Sequence, residues 1–294
     1  MSLLRGDGAR KDATELARAK VNLTLHVGRV IRDADRFHGY HPLDSLVVFA
    51  DVGDVVTVEP DERYALTVTG PFGAGLEADE TNLVTRAVRA AERLGADGHL
   101  AVTLDKRLPV ASGLGGGSAD AAAVLRALVR EDVSEDELMR EALGIGADVP
   151  VCLRSTTQRM TGIGDTLTPV PGAGSVAAML ANPGVGVSTA EVFRRFDARD
   201  DVRDTPRPQL ASGDLLARAR NGRNDLEPVA VAMVPAIGEL IAAMDGFDGC
   251  ELARMSGSGA SVFGLFATDA QARAAADALC ARGVWAMACH LGDA

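Results

Sequence analysis

The chain has 294 residues, of which 47% are hydrophobic and 24% are charged, and this composition excludes a disordered protein. Its 41 acidic and 30 basic residues give a formal net charge of -11, which excludes a surface that condenses on nucleic acid or on anionic lipid. The length favours two domains over one.

Alternation with a period of two predicts strands over the first third of the chain. In residues 19–27 the apolar residues share one face, and the other face carries Lys20, Asn22, Thr24 and His26. Further alternating stretches predict a mostly antiparallel sheet, with strands at 55–59, 64–69 and 100–104. Lys20 is then either a solvated charge on an edge strand or a group that serves chemistry beside Asn22.

Apolar residues at helical spacing come next. They predict a helix over 83–94 that ends at Gly95, and the capping box Ser134-Glu-Asp-Glu137 opens a helix that Gly144 closes. Later patterns predict strands at 176–180, 251–255, 261–266 and 284–289, with helices between the first two and at 270–281. Charged residues crowd 194–207, which we expect to be a solvated loop. The order is α+β, with domains 1–165 and 166–294.

A glycine-rich loop is the strongest local signal, Pro109-Val-Ala-Ser-Gly-Leu-Gly-Gly-Gly-Ser-Ala119, between a predicted strand and the alanine-rich segment 119–129. In this arrangement backbone amides and the positive end of a helix point at a phosphate. The loop lacks the GK[ST] of a Walker A loop, and Ser118 replaces the last glycine of the dinucleotide fingerprint. A flexible turn that binds nothing is the alternative.

Asp148 stands in Gly146-Ala-Asp-Val-Pro150, where we expect the entry of a strand that contains proline. An aspartate there is either a turn or cap residue, or a carboxylate that deprotonates a hydroxyl nucleophile. The local pattern does not decide between these two interpretations.

Two further segments carry functional residue types. In Phe37-His-Gly-Tyr-His41, stacking by Tyr40 and edge hydrogen bonding by His41 suit a nucleobase, and a structural role is the alternative. No carboxylate or cysteine stands at ligand spacing, so we expect no metal site of side chains there. The loop Met255-Ser-Gly-Ser-Gly-Ala-Ser261 is either a hairpin turn or a loop that closes over a phosphate.

Lysine and cysteine usage add two expectations. Only three basic residues are lysines, and we expect Lys11 and Lys106 to be solvated charges. The four cysteines show no CxxC pair, which is typical of buried thiols in a reducing compartment. The beginning of the chain is charged, and the longest uncharged run, 166–190, is interrupted by prolines, so we expect a cytoplasmic protein without a secretory signal or a membrane partner.

Together these segments resemble the GHMP kinase superfamily, and within it the kinases of non-mevalonate isoprenoid synthesis. The matching blocks run in the family's order: Ala19-Lys-Val-Asn-Leu-Thr-Leu25, Gly39-Tyr-His41, the loop 109–119, Gly146-Ala-Asp-Val-Pro150, Asn224-Asp-Leu-Glu-Pro228 and Ser256-Gly-Ser-Gly-Ala-Ser261. Homoserine, mevalonate and galactose kinases share the glycine loop but not the Gly-Tyr-His block, so that block is the discriminating one.

The resemblance implies an α+β, two-domain GHMP kinase fold: an N-terminal ribosomal S5 domain 2-like ATP domain, a C-terminal ferredoxin-like domain and a site in the cleft between them. It implies transfer of the γ-phosphoryl group of ATP to the 2-hydroxyl of a methylerythritol that carries a cytidine diphosphate. Mg²⁺ is expected with ATP, with Ser118 as its only candidate side-chain ligand. The expected partner is this small molecule, and the expected oligomeric state is a monomer or a weak homodimer.

The resemblance also assigns roles to residues. Asp148 would take the hydroxyl proton as base, and Lys20 would favour the ionised form of that base and hold phosphoryl charge. Asn22 would contact substrate, Tyr40 and His41 would hold cytosine, and Phe193 would stack on its opposite face. The ATP loop would comprise Pro109, Val110, Ala111, Ser112, Gly113, Leu114, Gly115, Gly116, Gly117, Ser118 and Ala119.

Two departures and three rivals remain. The link between Arg32 and Gly39 is longer than the family's usual link, and His38 in it has no assigned role. The tail before Ala19 is also long, and we expect it to be disordered. The rivals are a GHMP kinase of the homoserine or mevalonate type, a nucleotide-binding sensor without catalysis, and a NAD-dependent dehydrogenase. The sensor would lack Lys20 or Asp148, and the antiparallel pattern before Pro109 argues against the dehydrogenase.

Overall fold

A computed structural model describes residues 12–32, 37–202, 206 and 213–293, so Lys11 and residues 33–36 of the long link lie outside the described residues. Over these residues the strands are β1 (Ala13–Val27), β2 (Leu43–Pro60), β3 (Ala65–Thr69), β4 (Leu100–Asp105), β5 (Gln158–Gly162), β6 (Thr166–Pro169), β7 (Ser175–Asn182), β8 (Cys250–Met255), β9 (Val262–Phe266) and β10 (Trp285–Gly292). The helices are α1 (Leu83–Arg93), α2 (Gly116–Leu128), α3 (Glu135–Ile145), α4 (Val149–Arg154), α5 (Thr189–Asp197), α6 (Leu215–Asn221), α7 (Glu227–Met233), α8 (Pro235–Asp245) and α9 (Asp269–Cys280).

The observed elements lie close to the predicted ones. The predicted strand over 19–27 is the second half of β1, and the predicted helix over 83–94 is α1. The capping box before α3 forms in both directions: the Ser134 side chain accepts from the N–H of Glu137, and the Glu137 carboxylate accepts from the N–H of Ser134. Local periodicity and capping were therefore enough to place these elements.

Several elements differ from the predictions. Strand β1 begins at Ala13, within the tail expected to be disordered, and β5, β6 and residues 43–54 of β2 were not predicted. Residues 149–154 form α4 rather than a strand, because Pro150 occupies the first turn, where a missing N–H leaves no bond unmade. Helix α5 extends to Asp197, into the charged segment predicted as a loop, and Arg194 pairs with Glu191 along it at a spacing of three residues. Helix α3 continues past Gly144, and Cys280 is exposed rather than buried.

The chain divides into two compact units, each described here by itself. The first comprises the described part of 1–19 together with 52–110 and 115–155. In it β4 pairs antiparallel with β2 and parallel with β3, and α1 packs on α2. The packing is close because Ala121, Ala122 and Ala123 of α2 are fully buried. This unit therefore contains both elements that flank the glycine-rich loop, β4 before it and α2 after it.

The second unit comprises 20–51, 111–114 and the described part of 156–294. Four of its strands run in the order β10, β7, β9, β8, and every neighbouring pair among them is antiparallel. Strand β5 pairs antiparallel with β2 and with β6. Helix α9 packs on β7, β9 and β10, and α8 packs on β8. The two units interleave along the sequence and therefore do not test a single boundary between two domains. The boundary at residue 165 stays a prediction.

In the described part of the chain, no single helix has both the length and the apolar character to cross a bilayer. The bent pair α7 and α8, which meet at 117°, passes the same criteria when the two helices are taken together.

Candidate active site

The polar row of β1 is buried. Lys20 is 5% exposed and Asn22 is 2% exposed, which excludes the interpretation of Lys20 as a solvated charge on an edge strand. The amide nitrogen of Asn22 donates to Ser45 Oγ over 2.8 Å, and Ser45 Oγ donates in turn to the carbonyl of Thr24 over 2.6 Å. These bonds satisfy polar groups that would be costly to bury alone, and they fix the row in one arrangement.

Residues 111–114 of the glycine-rich loop lie along this strand. The backbone N–H of Lys20 donates to the carbonyl of Leu114 over 2.8 Å. Gly113 has a φ of 79°, and a Cβ there would stand 2.6 Å from the carbonyl oxygen of Ser256. Only glycine therefore allows the loop to come this close to the segment around Ser256.

The second Gly/Ser loop meets the first one. Ser256 Oγ accepts the N–H of Asn22 over 3.1 Å and donates to the carbonyl of Gly113 over 3.0 Å. The N–H of Ser261 donates to the carbonyl of Ser112 over 2.9 Å. The segment 256–261 thus joins the antiparallel strands β8 and β9 as a hairpin and also holds the first loop. No local pattern in the sequence predicts this contact, and binding of a phosphate by this loop stays a prediction.

The remainder of the glycine-rich loop leads into α2 in the first unit, as the sequence predicted. Gly115 precedes the helix with a φ of 64° and makes no side-chain cap. The first helical N–H groups therefore lack a side-chain acceptor at the cap position. Gly117 is exposed and Ser118 is half-buried. Such a helix start favours an anionic group, which fits the predicted role in binding ATP phosphates.

A buried ion cluster lies beside this helix start and was not found from the sequence. Lys106 is 3% exposed and forms ion pairs with Asp54 on β2 and, over 2.8 Å, with Asp120 on α2. Asp54 also accepts the N–H groups of Arg107, over 2.6 Å, and of Leu108, over 2.8 Å. The expectation that Lys106 is a solvated charge is wrong, because β2 and α2 each present a carboxylate to its inward-turned side chain.

The charges of this cluster do not balance by themselves. Burial and, to a smaller extent, the neighbouring Asp54 raise the pKa of Asp120, Lys106 lowers it, and together these effects place it at about 8. Burial lowers the pKa of Lys106 while the two carboxylates raise it, and the net direction is upward. One ammonium with two carboxylates has an excess negative charge, so a proton on Asp120 makes the cluster neutral below about pH 8.

Asp148 lies at the N-terminal boundary of α4 and is half-buried. Its backbone carbonyl accepts the N–H of Cys152 over 3.1 Å, but its side chain makes no capping hydrogen bond to the helix. The cap interpretation therefore explains the position of the residue and not the use of its carboxylate. Its role as a base stays a prediction.

His41 and Phe193, both predicted to hold cytosine, are brought together in the second unit. Their ring centroids are 4.7 Å apart, with planes inclined by 38°. His41 Nδ1 lies 3.0 Å from the carbonyl oxygen of Gly28, and His41 Nε2 lies 3.5 Å from Asp197 Oδ2. Asp197 lies one helical turn after Phe193, on the same face of α5. This spacing would have indicated Asp197 as a neighbour of the site once Phe193 was assigned to it. Tyr40 is 52% exposed, so its ring is accessible to a ligand.

Among the described residues, no group of three or more His, Cys, Asp or Glu side chains is arranged to hold a metal ion. Mg²⁺ usually keeps several waters and binds through one or two protein ligands together with substrate phosphates. A donor set limited to Ser118 in the first turn of α2 fits an ion that arrives with a nucleotide.

Two family models match the chain. The model for the GHMP kinases N terminal domain matches residues 82–156, and the model for the GHMP kinases C terminal matches residues 207–284. The first match contains the glycine-rich loop and Asp148. The second contains residues 224–228 and the second Gly/Ser loop.

The chain is also similar to named relatives and to solved structures. The chain is 50% identical to "4-diphosphocytidyl-2-C-methyl-D-erythritol kinase" of Cereibacter sphaeroides over 90% of this chain and 92% of that protein. The protein of that name from Paracoccus denitrificans is also 50% identical, over 89% of each chain. A crystal structure of 4-(cytidine 5'-diphospho)-2C-methyl-D-erythritol kinase has a TM-score of 0.78 at 35% identity, covering 96% of this chain and 100% of that chain. Homoserine kinase from Cytophaga hutchinsonii, with a TM-score of 0.61 at 18% identity over 98% of this chain and 96% of that chain, shares the fold.

Asp120→Asn tests the buried cluster through the pH dependence of stability. The folded chain holds the Asp120 proton up to about pH 8, whereas an unfolded aspartate loses it near its ordinary pKa of 3.8. The wild type therefore loses stability as pH rises across this interval, and the variant lacks this loss. We expect the stability of Asp120→Asn relative to wild type to increase by at least about 1 kcal/mol between pH 5 and 8, measured by urea unfolding.

The matched control is Asp132→Asn, an exposed aspartate that pairs with Arg130. Its stability relative to wild type should stay constant over the same interval. A constant difference for Asp120→Asn as well would contradict the proton held in the cluster.

Proposed function

Since the chain belongs to the 4-diphosphocytidyl-2-C-methyl-D-erythritol kinase family of GHMP kinases, we propose that it transfers the γ-phosphoryl group of ATP to the 2-hydroxyl of 4-diphosphocytidyl-2-C-methyl-D-erythritol. The products are the 2-phosphate and ADP, in the non-mevalonate synthesis of isoprenoid precursors. The observation that carries the proposal is the 50% identity to relatives of that name over 90% of the chain. The homoserine kinase shares only the fold at 18% identity, so the homoserine alternative is not favoured.

The nucleotide is assigned to residues 109–119. The support is the helix start at Gly116, whose first amides have no side-chain cap, together with the GHMP match over 82–156. Backbone amides placed in this way stabilise phosphate charge without adding basic residues. We assign this function to an N-terminal domain, 1–165, and the acceptor side to a C-terminal domain, 166–294. The two family matches fall on either side of that boundary.

Phosphoryl transfer needs a base and a group that stabilises negative charge. In the proposed step the 2-hydroxyl oxygen attacks the γ-phosphorus, Asp148 accepts the hydroxyl proton, and ADP leaves with the electron pair of the broken P–O bond. Lys20 stabilises the charge that spreads over the phosphoryl oxygens. Its support is the burial of the Lys20 side chain at 5% exposure, because an ammonium in such surroundings acts more strongly than a solvated one.

Recognition of the cytidine group is assigned to the second unit. The tilted His41–Phe193 pair offers an aromatic surface, which suits stacking on a cytosine. The exposed ring of Tyr40 supplies a second stacking surface. Asn22 is assigned to the substrate as well, with its amide orientation fixed by the bond to Ser45. These assignments rest on the family resemblance, and the observed geometry is compatible with them.

Magnesium is assigned as the companion of ATP, with Ser118 as the side chain that would hold it. When bound, the ion neutralises phosphate charge. Both substrates are water-soluble small molecules, and we propose a cytoplasmic enzyme that acts as a monomer or a weak homodimer.

A substrate panel tests the proposed function directly. Purified wild-type protein is incubated with ATP, Mg²⁺ and, in turn, the cytidyl diphosphate of methylerythritol, mevalonate and homoserine, while ADP release is followed. We expect turnover with the cytidyl substrate at least about 100-fold above the other two, because a site built for a polar group rejects analogues that leave it unpaired. Preferred turnover of mevalonate or homoserine would transfer the assignment to that alternative.

Asp148→Asn tests the base. The amide cannot accept the hydroxyl proton, so kcat should fall by about 100-fold or more while the Kd for ATP changes less than about threefold. Single-turnover kinetics and calorimetric titration with ATP measure the two quantities. The matched control is Asp277→Asn on the exposed side of α9, which should leave both unchanged. Full phosphoryl transfer by Asp148→Asn would exclude Asp148 as the base.

His41→Ala tests cytidine recognition. Loss of the ring removes the partner of Phe193, so the KM for the cytidyl substrate should rise at least about tenfold while the KM for ATP stays within about twofold. Steady-state kinetics with each substrate varied in turn gives both constants. His99→Ala, which removes an exposed imidazole paired with Asp97, is the control. Equal changes in both KM values would place cytidine recognition elsewhere.

A further inference from the structure

The segment Asn224-Asp-Leu-Glu-Pro228 has no role in the proposed function, although it precedes and opens α7 in the second unit. Its side chains point to backbone groups of two other segments. Asp225 Oδ2 accepts the N–H of Val27 over 2.9 Å, at the end of β1. Glu227 Oε2 accepts the N–H of Met255 over 2.7 Å, at the start of the second Gly/Ser loop. The segment therefore holds a strand on one side and a loop on the other.

Asn224 is the centre of this arrangement. Its Nδ2 donates to the carbonyls of Met255 and Gly257, each over 2.8 Å, and its Oδ1 accepts the N–H of Leu226 over 3.0 Å. The side chain is 4% exposed, so water cannot replace these bonds. Leu25 bonds to the backbone on both sides of Asn224: its N–H donates to Arg223 and its carbonyl accepts from Asp225, each over 2.8 Å. Both hydrogens of one buried amide thus fix the loop on either side of Ser256.

Ser256 transmits this position to residues of the proposed active site. Its hydroxyl accepts the N–H of Asn22 and donates to the carbonyl of Gly113. A Cβ on Gly257 would lie 3.2 Å from that same carbonyl and 3.4 Å from Asn22 Oδ1. The loop therefore packs closely against both segments, and a displacement of Ser256 would be passed to them.

We propose that Asn224 is a positioning residue for phosphoryl transfer: its amide holds the Ser256 loop, and the Ser256 hydroxyl sets the spacing between the Lys20–Asn22 strand and the glycine-rich loop. The kinetic part of this inference rests on the proposed function. The coupling of Asn224 to Asn22 through Ser256 does not, and it has its own measurement. Misplacement of reacting groups by about 1 Å lowers turnover by about 100-fold, so a loop contact distant from the reacting atoms controls kcat.

Asn224→Asp is the sharpest variant, because it replaces the donating nitrogen by an oxygen of nearly equal size. The introduced carboxylate would face two carbonyl oxygens at the distance of a hydrogen bond and would repel both. At about pH 8, kcat with the cytidyl substrate should fall at least about tenfold relative to wild type. At about pH 6 the ratio to wild type should recover at least about threefold, because the protonated form donates again to one carbonyl. Urea unfolding of Asn224→Asp at both pH values shows whether its folded fraction changes between them, and the recovery should persist after correction for that fraction.

Two further measurements separate this role from a general loss of stability. The backbone amide of Asn22 should exchange its hydrogen for deuterium faster in Asn224→Asp and in Ser256→Ala, since both weaken its acceptor. Ser256→Ala alone should lower kcat at least about fivefold, and adding Asn224→Asp to it should lower kcat by less than about twofold more, because the two act through one connection. Ser256→Ala also keeps the proposal testable if Asn224→Asp does not fold.

The matched control is Asn221→Asp on α6, an exposed amide that also donates to a backbone carbonyl, that of Ala217, over 2.8 Å. It should leave kcat and the exchange of Asn22 unchanged. A loss in Asn224→Asp that is absent, or equal at both pH values, or fully additive with Ser256→Ala, would overturn the proposal. If wild-type protein did not phosphorylate the cytidyl substrate, the proposed function would fail, and the exchange of Asn22 would still decide the coupling.

Discussion

The hydroxyl of Ser256 is the interaction on which the second unit depends. It is completely buried, and it is satisfied in both directions, by the N–H of Asn22 and by the carbonyl of Gly113. A buried hydroxyl with one partner missing destabilises a fold, so the strand and the glycine-rich loop must keep their separation for Ser256 to remain buried. The absence of a Cβ at Gly113 makes this closeness possible, because a larger residue would collide with the backbone at Ser256. One side-chain hydroxyl thus fixes two backbone segments, at Asn22 and at Gly113, relative to each other.

In the first unit, a buried ion cluster connects the segments on either side of the glycine-rich loop. Lys106 connects the residue pair before the glycine-rich loop, through Asp54, to the second turn of the helix after it, through Asp120. Two carboxylates around one ammonium would leave negative charge beside a helix start assigned to phosphate, and a proton held by Asp120 removes that conflict. The cluster therefore connects the two sides of the glycine-rich loop and also keeps excess negative charge away from the helix start.

A chain with a net charge of -11 is compatible with two anionic substrates because the relevant fields act over different distances. Surface charge is screened within about 8 Å to 10 Å at physiological salt, whereas backbone amides at a helix start act at contact distance. Several arginines, including Arg194 and Arg199, are paired with nearby acidic residues at the surface, so their positive charge is balanced locally. Positive potential for phosphate can thus come from the backbone, and the acidic surface leaves it largely unaffected.

The order of several motifs along the chain indicated the family. Local sequence determined most of the helices, many of the strands and the two glycine-rich loops, because periodicity, capping and glycine spacing act over a few residues. It also indicated Lys20, Asp148 and His41 as candidates. Only the tertiary structure decided which groups meet: Lys106 with Asp54, 52 residues apart, and Asn224 with Gly257, 33 residues apart. It corrected Lys106 from a solvated charge to a buried ion pair, since burial depends on which strand and helix pack over a residue. A hydrogen bond between distant segments has no period in the sequence, and strand pairing and loop packing alone create it.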